Sequence, residues 1–281
     1  MKAVVEIKGG FGNQIFQYSF ANYLKNNGYE VTVNINKIIY KLGNQRFPLN
    51  NNNFGFKQTS QFIVVLFKLL YSISQKNIFN NSLNKLINKI FRKEYNFENF
   101  LNSKKRYLNH FDGYWQNIEL LINQKEYLIE SLKKEDVFKN NLTLDIQEGS
   151  TLVHVRRGDY IDFGENLNVR FYEEAINLCK SKIDNFSFEV FTDDLEWVNE
   201  QNIFKEAKSI HGPKDNIEEL LSDITKMFNF QNYIIGNSTF PLVPAIFSNS
   251  QNPLIIIADP WMKNQNIDLN FDNSWIKIKN Y

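Results

Sequence analysis

The sequence predicts an α/β fold built from two parallel-sheet halves, with helices inserted into the first. Three observations carry this expectation. The chain opens as a strand, a glycine loop, a helix and a second strand; strands and helices alternate again beyond about residue 150; and between them lies a stretch whose apolar residues recur at helical spacing.

In the opening unit, Ala3 to Ile7 is rich in β-branched residues, and Gly9, Gly10 and Gly12 permit a tight turn. Ile15, Phe16, Ser19, Phe20, Tyr23 and Leu24 then recur as one helical face, and after Gly28 the run Val31, Val33, Ile35 alternates as a strand. This β-loop-α-β order starts a parallel sheet. From Gln58 to Arg106 the apolar residues fall at helical spacing (Phe62, Val65, Leu66, Leu69, Leu70, Ile73, then Leu83, Leu86, Ile87, Ile90), which predicts two or three inserted helices. The Asn run at Asn50 to Asn53 reads as a loop, and no repeat of solenoid period occurs.

A polar stretch from Lys139 to Ser150, without a Pro- or Gly-rich linker, places the domain boundary between residues 1–148 and 149–281. Beyond it the expected elements are strands at Leu152 to Arg156, Phe186 to Phe191, Tyr233 to Ile235 and Leu254 to Ile257. Helices are expected at Phe171 to Ser181 and Leu220 to Phe228.

With 281 residues, 43% hydrophobic and 15% aromatic, the chain can fill one large core or two medium ones, so wholesale disorder is excluded. The 32 Lys plus Arg balance 31 Asp plus Glu, and no global field draws the chain onto nucleic acid. A single cysteine, Cys179, cannot form an internal disulfide, and with three histidines it cannot build a usual zinc cluster. A reducing, cytoplasmic setting fits. The opening MKAVVEIKGG lacks a secretory pattern, and the longest apolar stretch, Phe62 to Ile73, is broken by Lys68 and too short to span ~30 Å of hydrocarbon. No transmembrane helix is expected. Lys68, Lys76, Lys85, Lys89, Arg92, Lys93, Lys104, Lys105 and Arg106 make the insertion locally basic. They read either as a solvated helix face or as contact with an anionic membrane surface, which would place the protein peripherally at the inner face of the membrane.

Open parallel sheets bind ligands at the carboxyl ends of their strands, and three such ends carry polar groups here. In His154-Val155-Arg156-Arg157-Gly158-Asp159-Tyr160 a buried strand runs into two arginines. A guanidinium is permanently charged and makes two-pronged bonds to phosphate oxygens, so the pair suits a diphosphate. Equally, it could be salt-bridged to Asp159 and nearby acids across the cleft. The second end, Phe191-Thr192-Asp193-Asp194, offers a carboxylate to the donors of a guanine, or simply a cap for the next helix. No third oxygen ligand is spaced to make a metal site of the two acids. The third, Ile235-Gly236-Asn237-Ser238-Thr239-Phe240-Pro241, leads hydroxyls and a helix N-terminus to the same edge, an arrangement that serves as an anion site or as an ordinary cap.

In the first half, Gly10-x-Gly12-x-x-Ile15 lacks the third glycine of a dinucleotide fingerprint, and Asn34 or Asn36 stands where a ribose-binding acid is needed. The loop, with Asn13 and Gln14, is either a ligand-facing turn or a turn that needs a positive φ. Neither a P-loop nor a Gly-x-Ser-x-Gly elbow occurs. His110, His211 and Cys179 read as structural.

Taken in order, GGFGNQIFQYSFANYL at the opening, FDGYWQN at Phe111 to Asn117, HVRRGDY at His154 to Tyr160, FTDD at Phe191 to Asp194 and SDITKMFNFQNYIIGNSTF at Ser222 to Phe240 closely resemble the bacterial α-1,2-fucosyltransferases of glycosyltransferase family 11. The segments span nearly the whole chain. The resemblance implies a GT-B-like enzyme of two Rossmann-like domains facing a cleft, the first on the acceptor side and the second binding the GDP-sugar. It implies transfer of fucose from GDP-β-L-fucose to the 2-hydroxyl of a galactoside, with inversion and without an obligatory metal or other cofactor. The acceptor would be a galactose-containing surface glycan, lipid-linked in the simplest case.

By the same resemblance, Arg156 would bind the β-phosphate with Arg157 in support, and His154 with Asp193 or Asp194 would hold guanine and ribose. Asn237, Ser238, Thr239 and Phe240 would meet phosphate oxygens, and the loop with Gly10, Gly12, Asn13 and Gln14 would close over the ligands. Asp159 is the first candidate for the general base, with Asp162, Glu165 and Glu6 behind it. An enzyme of the same fold that uses another GDP-deoxyhexose, and a nucleotide-sugar- or glycan-binding protein without turnover, are the competing readings. The family usually follows Asn-Ser-Thr-Phe with Ser-Trp-Trp, whereas this chain has Pro241-Leu242-Val243-Pro244. The prolines are expected to shorten or kink the helix start, and the missing aromatics to remove surface that frames the sugar.

Overall fold

The computed structural model describes residues 1–39, 48–75, 81–139, 142, 145–214, 216–264 and 269–280. The chain divides into two compact units, Met1–Glu135 and Asp136–Tyr281. This division precedes the 148/149 boundary read from the sequence, because the short helix Asp136–Lys139 packs on helix Ile217–Met227 of the second unit. Buried Phe138 and Leu142 carry the apolar surface of that segment.

In the first unit β1 (Lys2–Glu6), α1 (Phe11–Asn26) and β2 (Glu30–Asn34) form the expected opening, followed by α2 (Asn36–Ile39), β3 (Lys57–Gln58), α3 (Gln61–Gln75), α4 (Asn81–Ile90), β4 (Phe91–Glu94), α5 (Phe97–Asn102), β5 (Leu108–Phe111), α6 (Ile118–Asn123) and α7 (Lys125–Leu132). The five strands pair in parallel in the order β3-β2-β1-β5-β4. Aromatic rings close the core beside α1: Phe20 stacks on Trp115 at 4.1 Å and meets Phe111 edge-on at 5.2 Å.

The insertion is not wholly helical. It also supplies β4, whose Phe91-Arg92-Lys93-Glu94 has no apolar alternation and becomes a strand through pairing with β5. Arg92 is tolerated at 8% exposure because its guanidinium donates to Asn109 Oδ1 (2.6 Å) and the Tyr29 hydroxyl (3.3 Å) and lies over the Phe100 and Phe111 rings. On α3, Val64 and Phe67 turn inward while Phe62, Val65 and Leu69 stay exposed. Among the described residues no helix is long and apolar enough to cross a membrane.

The second unit continues with α8 (Asp136–Lys139), β6 (Gln147–Val155), α9 (Gly158–Phe163), α10 (Val169–Lys182), β7 (Ser187–Thr192), α11 (Leu195–Glu200), a 3-10 turn (Asn202–Glu206), β8 (Ser209–His211), α12 (Ile217–Met227), β9 (Phe230–Gly236), α13 (Thr239–Phe247), β10 (Ile255–Asp259) and β11 (Ile276–Lys279). Its sheet is parallel throughout in the order β11-β10-β9-β6-β7-β8. Val153, Val155, Ile234 and Ile256 bury one sheet face against Phe171, Ala175, Ile176 and Cys179 of α10. Cys179 is thus a core side chain, as the sequence suggested.

Both sheets reverse direction of growth at their middle. From β6 the chain adds β7 and β8 on one side, then returns to add β9, β10 and β11 on the other, so the crevice between the carboxyl ends of β6 and β9 is a topological switch point. The same argument places one between β1 and β5 in the first unit.

Candidate functional site

At the switch point of the second unit, Val153 of β6 stands opposite Ile234 of β9, so the strand exits at Arg156 and Asn237 are neighbours. They are joined by Tyr160, whose hydroxyl donates to the Asn237 carbonyl at 3.3 Å. Burial pushes that phenol up to about 12. Gly236 makes the exit of β9 possible: its φ is +67°, and an added Cβ would lie 2.9 Å from Leu167 Cδ1. Asn237 Nδ2 then donates to the Glu165 carbonyl at 2.8 Å, and the Glu165 carboxylate accepts the backbone N–H groups of Lys263 (2.6 Å) and Asn264 (2.9 Å). Glu165 therefore fastens loops at this edge and is not placed as a base.

The two arginines have different environments. Arg156 forms ion pairs to Asp159 (Nη2–Oδ1 2.6 Å) and Asp193 (Nη1–Oδ2 2.7 Å), with its side chain 34% exposed. Arg157 is only 14% exposed, pairs with Asp194 (Nε–Oδ2 2.9 Å) and stacks at 4.0 Å over Trp197. Arg156 is thus the more exposed guanidinium of the two, and Arg157 braces the turn. The acidic partners come from the same unit, not from across a cleft.

Asp193 and Asp194 are both committed. Asp193 Oδ1 accepts the backbone N–H groups of Arg157 (2.7 Å) and Gly158 (3.2 Å), while Asp194 Oδ1 caps α11 by accepting from Trp197 N at 3.0 Å. The commoner structural use of an acid after a strand is realised at Asp194. A Cβ on Gly158 would meet Asp193 Oδ2 at 2.7 Å, so this glycine lets the carboxylate close on the arginine turn.

His154 is 6% exposed, its ring 5.7 Å from that of Phe240, and its Nδ1 has no hydrogen-bond partner among the described residues. Burial, reinforced by the charge of Arg156, pushes the imidazole down to about 3, so the ring is neutral. Ser238 caps α13 by accepting from Phe240 N at 3.3 Å, and Thr239 begins the helix at the same edge as Arg156.

α13 runs from Thr239 to Phe247 through both prolines, so they do not shorten it. Pro241 falls in the first turn, where a missing N–H is tolerated. Leu242 and Val243 are fully buried, and with buried Pro241 and Pro244 they pack into the core.

The matching family model is that of glycosyl transferase family 11, and it covers residues 2–279. The chain belongs to glycosyltransferase family 11. Two curated relatives from Escherichia coli align end to end with it: an alpha-1,2-colitosyltransferase, 28% identical across 98% of both chains, and the O-antigen biosynthesis glycosyltransferase WbnK, 23% identical across 97% of this chain and 99% of that one. A solved structure of NodZ alpha-1,6-fucosyltransferase soaked with GDP-fucose aligns with a TM-score of 0.44 at 10% identity, over 88% of this chain and 92% of that one. The chain is a glycosyltransferase.

In this family-11 chain the glycine loop after β1 is built for its own closure. Gly9 takes φ +82°, Gly10 precedes α1, and buried Gly12 lies within it. Gln14 is 1% exposed, donates to the Gly9 carbonyl (3.2 Å) and accepts Leu49 N (2.9 Å); Asn13 Oδ1 accepts from Gln116 (2.8 Å). Gln14 therefore locks the turn.

The sequence reading had Glu6 among its weaker candidates for a base but missed the polar cluster around it, at the switch point of the first unit. There His110, read as structural, lies 2.6 Å (Nε2–Oε1) from Glu6, and Asn34 Nδ2 donates to both Glu6 oxygens at 3.1 and 2.9 Å. The only signal was that Glu6, Asn34 and His110 each sit near a strand's end, and short polar β5 hid the third strand.

Proposed function

We propose that this glycosyltransferase moves L-fucose from GDP-β-L-fucose to the 2-hydroxyl of a galactoside, with inversion, in the synthesis of a surface glycan. The observation that carries the reading is Arg156: a permanent, two-pronged cation at the carboxyl end of the central strand, open to a ligand and held in place by Asp159 and Asp193. As the bond to the anomeric carbon breaks, charge grows on the leaving diphosphate, and a preorganised guanidinium stabilises it without reorganising. The first turn of α13 adds the positive end of a helix at the same sheet edge. On this reading the arginines and the helix end do the work of a divalent cation, and none is required. Neutral, buried His154 shapes the floor beside Phe240.

A second donor is favoured by one specific observation, the similarity to an alpha-1,2-colitosyltransferase. A GDP-linked dideoxyhexose presents the same diphosphate and nucleoside to Arg156 and differs only at the sugar. The acceptor is read as a lipid-linked glycan, and the outward face of α3 supports a peripheral position at the inner face of the membrane. Phe62, Val65 and Leu69 are exposed there beside Lys68, and Lys85, Leu86, Lys89 and Ile90 are exposed on α4.

The test is calorimetric titration with GDP, GDP-fucose, GDP-colitose and UDP, then product analysis with a panel of galactosides. Guanine-selective binding with a fucosylated product supports the reading. A product only from GDP-colitose moves it to the second donor, and equal binding of UDP overturns the nucleotide assignment.

A further inference from the structure

Charge is spread unevenly along the chain. Residues 31–93 hold ten of the 32 Lys and Arg and no Asp or Glu, which leaves 22 cations against all 31 acids in the rest, so a net charge of +1 conceals a strongly basic segment. That segment supplies α3 and α4, which pack on each other and on β4. Phe67 of α3 and Ile87 of α4 enter one buried cluster with Val4 of β1 and Phe91 of β4, so both helices lie on the same face of the first sheet. Their opposite stripes look away from it.

The outward stripe of α3 is apolar. Phe62, Val65 and Leu69 fall at i, i+3 and i+7 and are 76%, 62% and 55% exposed, with exposed Lys68 at their flank. On α4, Lys85 and Lys89 are exposed one turn apart, beside exposed Leu86 and Ile90. Arg106 donates to the Asn88 carbonyl at 2.7 Å, which brings a further cation and exposed Lys105 against the same helix. Single exposed apolar side chains are ordinary, whereas five on neighbouring helices, edged by lysines and without an acid, form a surface.

Whatever covers this surface must be both apolar and anionic. A second copy of the chain fails on charge, because two-fold pairing sets the same cations against themselves. A nucleic acid offers phosphates but leaves Phe62, Val65 and Leu69 in water. The boundary between lipid head groups and acyl chains offers phosphate to the lysines and hydrocarbon to the stripe.

We propose that the outward face of α3 and α4 docks on an anionic bilayer, with Phe62, Val65 and Leu69 entering the acyl boundary and Lys68, Lys85 and Lys89 meeting lipid phosphates. The inference deepens the peripheral position read above and rests on it, while the docking surface belongs to the first unit alone. With so few apolar side chains inserted, docking is reversible and sensitive to salt.

The full chain is sedimented with vesicles of phosphatidylethanolamine and phosphatidylglycerol, and with vesicles of phosphatidylcholine alone. Binding is expected to the first and not to the second, and it should weaken about tenfold or more between ~0.1 and ~1 M salt, as the screening length falls from ~10 to ~3 Å. Lys85→Gln/Lys89→Gln should lower partitioning about 25-fold, at roughly fivefold per lysine. Phe62→Ser/Leu69→Ser should lower it about tenfold or more. Both variants should transfer sugar to a soluble galactoside at the wild-type rate. An environment-sensitive fluorophore on an introduced cysteine locates the face, since Cys179 is buried and stays unlabelled. On anionic vesicles the emission at Leu69→Cys should shift to the blue, and that at Glu200→Cys, exposed on the second unit, should not. These labels and the wild-type salt dependence decide the matter if a double variant does not fold. No binding to anionic vesicles at low salt, binding indifferent to lipid charge, or an unchanged label at position 69 overturns the proposal. So does a wild-type dimer that Phe62→Ser/Leu69→Ser dissolves. Transfer without vesicle binding removes the docking surface alone, and vesicle binding by a chain that turns over no GDP-sugar removes the transferase reading alone.

Discussion

Arg156 and Asp193 meet at 2.7 Å (Nη1–Oδ2), and the other oxygen of the same carboxylate accepts the backbone N–H of Arg157, also at 2.7 Å. One side chain from the end of β7 therefore sets both the guanidinium and the backbone turn at the end of β6. These contacts fix the Arg156 guanidinium and the turn that follows it as one piece, the kind of fixed geometry that preorganised charge stabilisation requires.

Replacing Arg156 by Ala should lower kcat for sugar transfer about 10²- to 10³-fold, the usual loss for one preorganised charge-stabilising group. The acceptor KM should change little, because the contact strengthens as the leaving group departs. Arg156→Lys keeps the charge but loses the two-pronged geometry and should recover only part of the rate. Steady-state kinetics of the three proteins decide this, and an unchanged kcat in Arg156→Ala removes the residue from the mechanism.

Acid should destabilise the fold partly through His154. Its imidazole sits at about 3 when folded, against ~6.5 when unfolded, so between these values the unfolded chain binds a proton that the folded chain does not. The contribution of this group is level above about pH 6.5. It is lost as pH falls from there toward 3, with a limiting slope of ~1.4 kcal/mol per pH unit. Tm measured from pH 7 to 4.5 should drop less steeply for His154→Gln than for wild type; parallel curves would assign the slope to other groups.

Gly236→Ala should destabilise the second unit by ~1–3 kcal/mol, since the residue has φ +67° and the new methyl would meet Leu167 at 2.9 Å. Urea unfolding measures the loss. Donor affinity should fall with it, because Asn237 and Ser238 follow directly, and a variant as stable as wild type would show that the exit of β9 relaxes freely.

Transfer should persist in excess EDTA, with a rate within about twofold of the untreated enzyme. Among the described residues no group of three or more His, Cys, Asp or Glu side chains is arranged to hold a metal. Complete loss of activity that added magnesium restores would replace the arginine-based account of the leaving group.

Local patterning was a good guide wherever apolar residues repeat with a clear period. The strand, glycine turn and helix of Lys2 to Asn26, and the strands carrying His154, Val190 and Ile234, lie where their sequences place them. Strands β3, β4 and β5 were hidden, because Lys57-Gln58, Phe91-Arg92-Lys93-Glu94 and Leu108-Asn109-His110-Phe111 are short and polar and take their strand character from pairing. The candidate site was legible as three strand exits, since motif order and the ligand edge of a parallel sheet both follow from sequence.

By itself, the sequence determined the α/β class, the order of the motifs and the residue types at each strand exit, because these depend on local periodicity and chain order. Only the tertiary structure decided which arginine stays open, that Gln14 and Glu165 are fasteners, and that Leu242 and Val243 point into a core. It also brought Glu6 of β1 within 2.6 Å of His110 of β5. Such pairings join residues far apart in the chain, and their energies depend on burial and distance, quantities that exist only once the strands have taken their places in a sheet.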